Sequence, residues 1–170
     1  MDKFFDFLNT RRSIRKFKQG KISKDTINKI LETGMEAPSA INEQPWHFVV
    51  IDKQELIDKI LRFHPHASMA AKATIAILVC GDLKLEKAKG FWVQDCSAAT
   101  QNILLAVHAL GLGAVWTGVY PRQKRIDGFR KLLNLPENII PFSFIPIGYP
   151  AEKSFKAERF KKERIHYNKW

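Results

Sequence analysis

The sequence predicts one domain of mixed α and β structure, and three observations carry that expectation. Apolar residues fall at helical spacing in some stretches, as at Ile27, Ile30, Leu31 and Met35, and as short β-branched runs in others, as at 47–51 and 74–80. The length of 170 residues suits a single compact unit, which at that size buries roughly 70% of its unfolded surface. Composition is that of an ordinary globular chain, with 45% hydrophobic and 26% charged residues, 8 prolines and 9 glycines, and neither a repeat nor a low-complexity stretch.

Phe4, Phe5, Phe7 and Leu8 predict a short apolar helix that ends where the chain turns basic at Arg11. Ser23 can cap a second helix, whose buried face is Ile27, Ile30, Leu31 and Met35 and which Pro38 stops. Residues 47–51 form a strand, and 55–63 return to helical spacing through Leu56, Ile60 and Leu61. Residues 74–80 are apolar without alternation, the habit of an interior strand covered on both faces. A helix rich in Ala and Leu spans 91–110 and is closed by Gly111, at the place where a left-handed residue commonly ends a helix. Residues 114–117 predict a third strand, and 123–133 a basic amphipathic helix ended by Pro136. A fourth strand at 142–147 is closed by Gly148, Tyr149 and Pro150. From 151 to 170 the chain carries seven Lys or Arg residues beside Phe155, Phe160, Tyr167 and Trp170. That many aromatic rings predict a tail packed on the domain or on a second subunit.

The formal charge of +11, from 28 Lys+Arg against 17 Asp+Glu, favours anionic ligands without choosing among phosphates, nucleic acid and acidic lipid. Cys80 and Cys96 lie far apart, with no C-x-x-C, so neither a disulfide framework nor a thiolate metal cage is expected and both read as small buried apolar residues. A reducing, cytoplasmic setting fits, and the opening Met1-Asp2-Lys3-Phe4 lacks the pattern of an export signal. Residues 98–115 are apolar but broken by Gln101, Asn102 and His108, so they predict a core helix and no membrane span. His64 and His66 stand in a polar loop without a third ligand and read as surface or capping histidines, His108 reads as a satisfied core histidine, and no metal site is predicted. Gly111-x-Gly113 follows a helix and lacks a third glycine, which argues against a Rossmann turn.

Two segments can carry chemistry. Arg11, Arg12, Ser13 and Arg15 offer guanidinium forks and a hydroxyl of the kind that grips a phosphate, and a solvated basic turn has the same composition. The loop from Ala37-Pro38-Ser39 through Asn42 to Gln44-Pro45-Trp46-His47 can bring amides to a planar ligand, or can simply connect helix to strand. A basic nucleic-acid module that stacks bases on the aromatic tail is a rival from another class, supported by charge and aromatics alone.

Arg11-Arg12-Ser13-Ile14-Arg15 with Phe17, then Ala37-Pro38-Ser39 through Gln44-Pro45-Trp46-His47, resemble the opening signature of the nitroreductase family of FMN proteins. The segment from Gly111 to Gly118, Pro146-Ile147-Gly148-Tyr149-Pro150 and the closing Arg159 follow in the family's order, so the resemblance spans nearly the whole chain. It implies an α+β fold: a central, mostly antiparallel sheet flanked by helices, in an intertwined homodimer with two FMN sites at the interface. The helix from Phe91 would lie at the dimer core, and 151–170 would be a C-terminal extension of a single domain, packed on the partner subunit.

Carried over position by position, the resemblance gives Arg11 and Ser13 the FMN phosphate and ribityl end, with Arg12 contributing mainly backbone. Arg15 would face the flavin pyrimidine, and Pro38, Ser39 and Asn42 would come from the partner chain. Trp116, Thr117 and Gly118 would supply backbone near the flavin N5, and Arg159 would complete the phosphate site. Two positions depart from the pattern: Ser68 stands where larger members place a lysine beside the flavin, and Ala157 where one precedes the final arginine, with Lys156 adjacent as a substitute. Arg15 then carries more of the work at the pyrimidine, since a fixed guanidinium there stabilises negative charge on reduced flavin. The expected activity is hydride transfer from NAD(P)H to nitroaromatic, quinone or similar small acceptors in a ping-pong cycle. No protein residue is assigned as catalytic, because the cofactor carries the chemistry. The alternative within the resemblance is a flavin storage or sensor protein with little turnover. No nucleic acid is expected as a partner.

Overall fold

The computed structural model describes residues 2–153, 155 and 157–170. Its centre is a pair of long antiparallel strands, β3 (Ile75–Asp82) and β6 (Ile139–Pro150). Every residue of β3 is buried, so the sheet has cover on both faces. Outside β3 lies β2 (Trp46–Ile51), and along the far side of β6 run β1 (Phe17–Lys18), β4 (Gly113–Ala114) and β5 (Thr117–Gly118). All these strand pairs are antiparallel. With α1 (Asp2–Thr10), α2 (Lys24–Met35), α3 (Gln54–Leu61), α4 (Trp92–Ala109) and α5 (Gln123–Leu133), the architecture is the α+β one that the sequence predicts.

Alternation along β3 builds two cores. Ile75, Ile77 and Val79 face α2 and α4 with Ile30, Cys96, Ile103 and Ile145, while Ala76, Leu78 and Cys80 face α3 and α5 with Ile57, Ile60, Phe129 and Phe144. Phe142 breaks the parity. The β3–β6 register shifts between Val79, opposite Ser143, and Cys80, opposite Pro141. This bulge rotates Phe142 onto the α4 side, against Trp92 and Trp116. Helix α2 approaches α4 closely because Gly34 has no Cβ, and one placed there would sit 2.9 Å from Ile103. The expected cap holds, with Ser23 Oγ accepting from the Thr26 N–H. Gly111 follows α4 with φ +69°, the left-handed terminator that the sequence suggests.

Some boundaries differ from expectation. Residues 114–117, read as one strand, instead form β4 and β5, interrupted at Val115 and Trp116. Pro146 lies beside that break and has no N–H to complete a ladder. Gly148, Tyr149 and Pro150 do not close β6 but extend it, because Gly148 pairs with Gly113 and the last two residues pair with β1. Helix α5 ends before Pro136, at Asn134 in the left-handed conformation.

His64 is the main correction. Read as a surface or capping histidine, it is fully buried, with both ring nitrogens lacking a hydrogen-bond partner and its ring among those of Phe129 and Phe144. Burial above all, then the charges of Arg125 and His66, lowers its pKa to about 4. The folded protein therefore keeps His64 neutral where the unfolded chain, with a pKa near 6.5, binds a proton. Above pH ~6.5 this protonation penalty is absent; between pH ~6.5 and ~4 stability falls, by up to about 3 kcal/mol. Urea denaturation at pH 7.5 and 4.5 should show His64→Phe gaining on the parent as the pH drops. An equal loss in both proteins would reject this origin of the acid limb.

Candidate functional site

Helix α1 ends at Thr10, whose hydroxyl bonds back to the Asp6 carbonyl at 2.7 Å and meets His108 Nε2 at 3.1 Å. His108 also stacks on Phe7, so it is a half-buried link between α1 and the last turn of α4, not a core residue. The chain leaves this point as Arg11 and Arg12. They wall two adjoining cavities: one of about 230 Å³ shared with His108, Gly111, Ala114 and Glu152, and one of about 520 Å³ shared with Gln101, Ala157, Arg159 and Phe160.

Arg159, from the far end of the sequence, thus meets Arg11 and Arg12 at one cleft. Burial, followed by the neighbouring charges of Arg12 and Arg159, lowers the pKa of Arg11. Arg12 is occupied otherwise, its Nε donating to the Phe155 carbonyl at 2.8 Å and its Nη1 to the Arg11 carbonyl at 2.6 Å. Glu152 turns its carboxylate to the backbone, accepting from the N–H groups of Arg15 at 2.5 Å and Lys16 at 3.1 Å. Those N–H groups, Arg15 first, hold its pKa down. Guanidinium groups crowded against one another at a concave surface are stabilised by an anion between them.

Past Arg12 the chain runs beside β4. Ser13 bridges to Ala114, and the Ile14 N–H donates to the Ala114 carbonyl at 2.9 Å. Ile14 is buried and takes the space a side chain at residue 113 would need, since a Cβ on Gly113 would lie 2.7 Å from it. Ser13 and Arg15, either side of Ile14, are exposed. Farther along the same β6 edge, Thr117 is buried with its hydroxyl on the Phe144 carbonyl at 2.6 Å, Trp116 leans on Phe142, and Gly118 is exposed. The Ala114 and Thr117 registers lie three residues apart on β6, roughly 10 Å.

The loop with Pro38, Ser39 and Asn42 is elsewhere in the same chain. Its Ala40 N–H donates to Asp95 in the first turn of α4, whereas Arg11 and Arg12 share a cavity with His108 in the last turn. At 1.5 Å per residue, those turns are about 20 Å apart. One chain therefore unites Arg11, Arg12 and Arg159, aligns Ser13 and Arg15 with Trp116, Thr117 and Gly118 along one edge, and leaves Pro38, Ser39 and Asn42 apart. Ser68 is exposed in a 3-10 turn, Pro65–Lys72, and Lys156 lies outside the described residues. Glu152, Gln101 and His108 were absent from the sequence-based site; none belongs to a spacing pattern, and only the fold brings them to the cleft. Among the described residues, no group of three His, Cys, Asp or Glu side chains could hold a metal, and no helix is long and apolar enough to cross a membrane.

A family model described as the nitroreductase family matches residues 8–76 and 64–149. A protein of Methanothermobacter thermautotrophicus, provisionally named an NADH dehydrogenase/NAD(P)H nitroreductase, is 53% identical over 163 residues, covering 96% of this chain and 85% of that protein. Among solved structures, a Parabacteroides distasonis protein with the same provisional name superposes with a TM-score of 0.95 at 39% identity, over the whole of both chains. A provisionally named nitroreductase from Desulfovibrio desulfuricans, solved in complex with FMN, gives a TM-score of 0.83 at 30% identity over 98% of this chain and 96% of that one.

Proposed function

The chain belongs to the nitroreductase family, and from that premise we propose that it is an NAD(P)H-dependent FMN oxidoreductase that reduces nitroaromatic, quinone or similar small acceptors. The observation that carries this reading is the convergence of Arg11, Arg12 and Arg159 on one cleft, beside the edge that presents Ser13 and Arg15. That cleft fits the phosphate of FMN in charge and donor type. Arg11 and Arg159 grip the phosphate, Ser13 the ribityl chain, and Arg12 holds the tail through Phe155 while offering backbone. Arg15 faces the pyrimidine, and Trp116, Thr117 and Gly118 line the flavin edge. When bound, FMN supplies the hydride chemistry. NAD(P)H leaves before the acceptor takes its place, a ping-pong order.

The site is completed by a second copy of the chain. Pro38, Ser39 and Asn42, remote from their own Arg11, close the isoalloxazine of the partner. The tail supports this arrangement: Phe155, Phe160, Tyr167 and Trp170 are each about 80% exposed or more, an apolar load that a single chain leaves in water.

Purified protein should be yellow, and NAD(P)H added without oxygen should bleach it. Colour that resists bleaching would instead favour a storage or sensor protein, and a colourless protein that fails to take up FMN would refute the proposal. Arg15→Ala should slow flavin reduction and lower the potential of bound FMN while the dimer persists. A guanidinium contact worth about 1.4 kcal/mol to the reduced state corresponds to about 30 mV for a two-electron couple. Potentiometric titration checks the shift, and an unchanged potential would remove the role given to Arg15.

A further inference from the structure

The loop at 38–44 holds an unusual backbone. Ile41, Asn42 and Gln44 have φ values of +43°, +56° and +48°, in the left-handed region that L side chains resist, and Ile41 is β-branched and exposed. Such a conformation persists only where its surroundings impose it. Two buried carboxyls do so. Glu43 is 6% exposed, and its Oε2 accepts from the N–H groups of Lys87 at 2.6 Å and Ala88 at 2.8 Å. Asp95, 5% exposed, accepts the Ala40 N–H on Oδ1 at 3.0 Å. The remaining oxygens, Glu43 Oε1 and Asp95 Oδ2, are buried with no donor, although the two carboxyls stand within hydrogen-bonding reach of each other. Two ionised carboxylates held this way would repel at low dielectric and leave both oxygens unsatisfied, whereas one proton between them satisfies both.

We infer that Glu43 and Asp95 share one proton, and that this carboxyl–carboxylate hydrogen bond is the clasp that fastens the strained 38–44 loop to the start of α4. The proton resides on Asp95 and is donated to Glu43. Burial raises the pKa of Asp95, as do the facing Glu43 and the charge of Glu86, against the lowering effect of the Ala40 N–H. Burial also acts to raise Glu43, but the N–H groups of Ala88 and Lys87, a bond to Asp95 and the Lys87 charge bring it below the ordinary value. The pair keeps one negative charge, placed at a helix N-terminus that favours it. The clasp holds while the two facing carboxyls carry one proton between them, and it is lost as pH rises through the raised pKa of Asp95. Glu43 and Asp95 thereby act as positioning residues for Pro38, Ser39 and Asn42. That consequence rests on the proposed function, while the clasp itself does not.

Side-chain carboxyl carbons of ¹³C-labelled apoprotein, followed by NMR from pH 5 to 10, test the shared proton directly. One carboxyl of the pair should remain protonated at pH 7, and the protection of the Ala40, Lys87 and Ala88 amides should collapse as it titrates. Both carboxyls ionised at pH 7, with those amides still protected, would overturn the clasp. Asp95→Asn replaces the protonated acid by an amide of the same shape, so its loop amides should stay protected at alkaline pH; loss of protection parallel to the parent would also overturn it. In FMN titrations the parent should lose affinity about tenfold per pH unit above the transition, with Asp95→Asn flat over the same range. Parallel pH profiles in the two proteins would overturn the positioning role. If neither protein binds FMN at any pH, the proposed function fails, and the NMR result alone decides the clasp.

Discussion

Arg11→Ala should weaken FMN binding by roughly 10- to 100-fold while leaving the stability of the apoprotein unchanged or slightly higher. A hydrogen bond to an ionised partner contributes about 1.5–3 kcal/mol, and each 1.4 kcal/mol is a factor of ten in affinity. The loss falls on the complex alone, because in the free chain Arg11 is a partly desolvated cation in the field of Arg12 and Arg159. Removing it relieves repulsion. Arg159→Ala should weaken binding in the same direction but less, since Arg159 is exposed, and the double substitution should cost less than the sum because in the proposed site both act on one phosphate. Arg11→Lys retains the charge without the planar fork and should fall between parent and Arg11→Ala. Flavin fluorescence quenching measures all four. Parent-like affinity in Arg11→Ala would move the phosphate out of this cleft.

Arg12 offers a contrast. Its guanidinium is bonded to the carbonyls of Phe155 and Arg11, so its work is to tie the tail to the end of α1. The tail in turn carries Arg159. Two adjacent arginines in the sequence are therefore engaged differently in the fold, and nothing in the dipeptide tells them apart.

What the sequence shows of the fold follows from which features are local. The helical spacing at 27–35, the apolar runs at 47–51 and 74–80 and the Ala- and Leu-rich stretch at 91–110 are written in neighbouring residues and are legible there. Strands β1, β4 and β5 have two residues each and carry no period; they exist because β6 offers its edge. The Phe142 bulge depends on a register between strands some sixty residues apart, and the burial of His64 depends on Phe129 and Phe144 closing over a segment, Phe63-His64-Pro65-His66, that carries no apolar period. The candidate site divides likewise. The 11–15 cluster was visible as residue types, but a basic turn and a phosphate grip share that composition, and only the fold sets Arg159 beside it. Glu43 and Asp95 gave no signal, since their meaning lies in two oxygens that only the fold buries without a donor.

Phe144→Ala is the complementary case, a large loss of stability with the proposed flavin site left in place. Phe144 is fully buried on β6, with its ring 5.5 Å from that of Phe129 and 6.2 Å from that of His64. Truncation removes the ring's transfer free energy and leaves a cavity, for an expected cost of about 3–5 kcal/mol. Its backbone is untouched: the carbonyl still accepts the Thr117 hydroxyl, and the pairings with Leu78 and Thr117 remain. The fraction that stays folded should therefore bind FMN with parent affinity. Urea denaturation must be run on apoprotein, because bound flavin stabilises the folded state by mass action and would mask the loss. The substitution should also act on the acid limb. Space beside His64 lets water reach a ring that has no partner, so its depressed pKa of about 4 should climb back toward the ordinary value. The stability that Phe144→Ala gives up between pH ~6.5 and ~4 should then be smaller than the parent's loss of up to about 3 kcal/mol. If Phe144→Ala keeps the full acid limb, the cavity stays dry and Phe129 alone shields the imidazole.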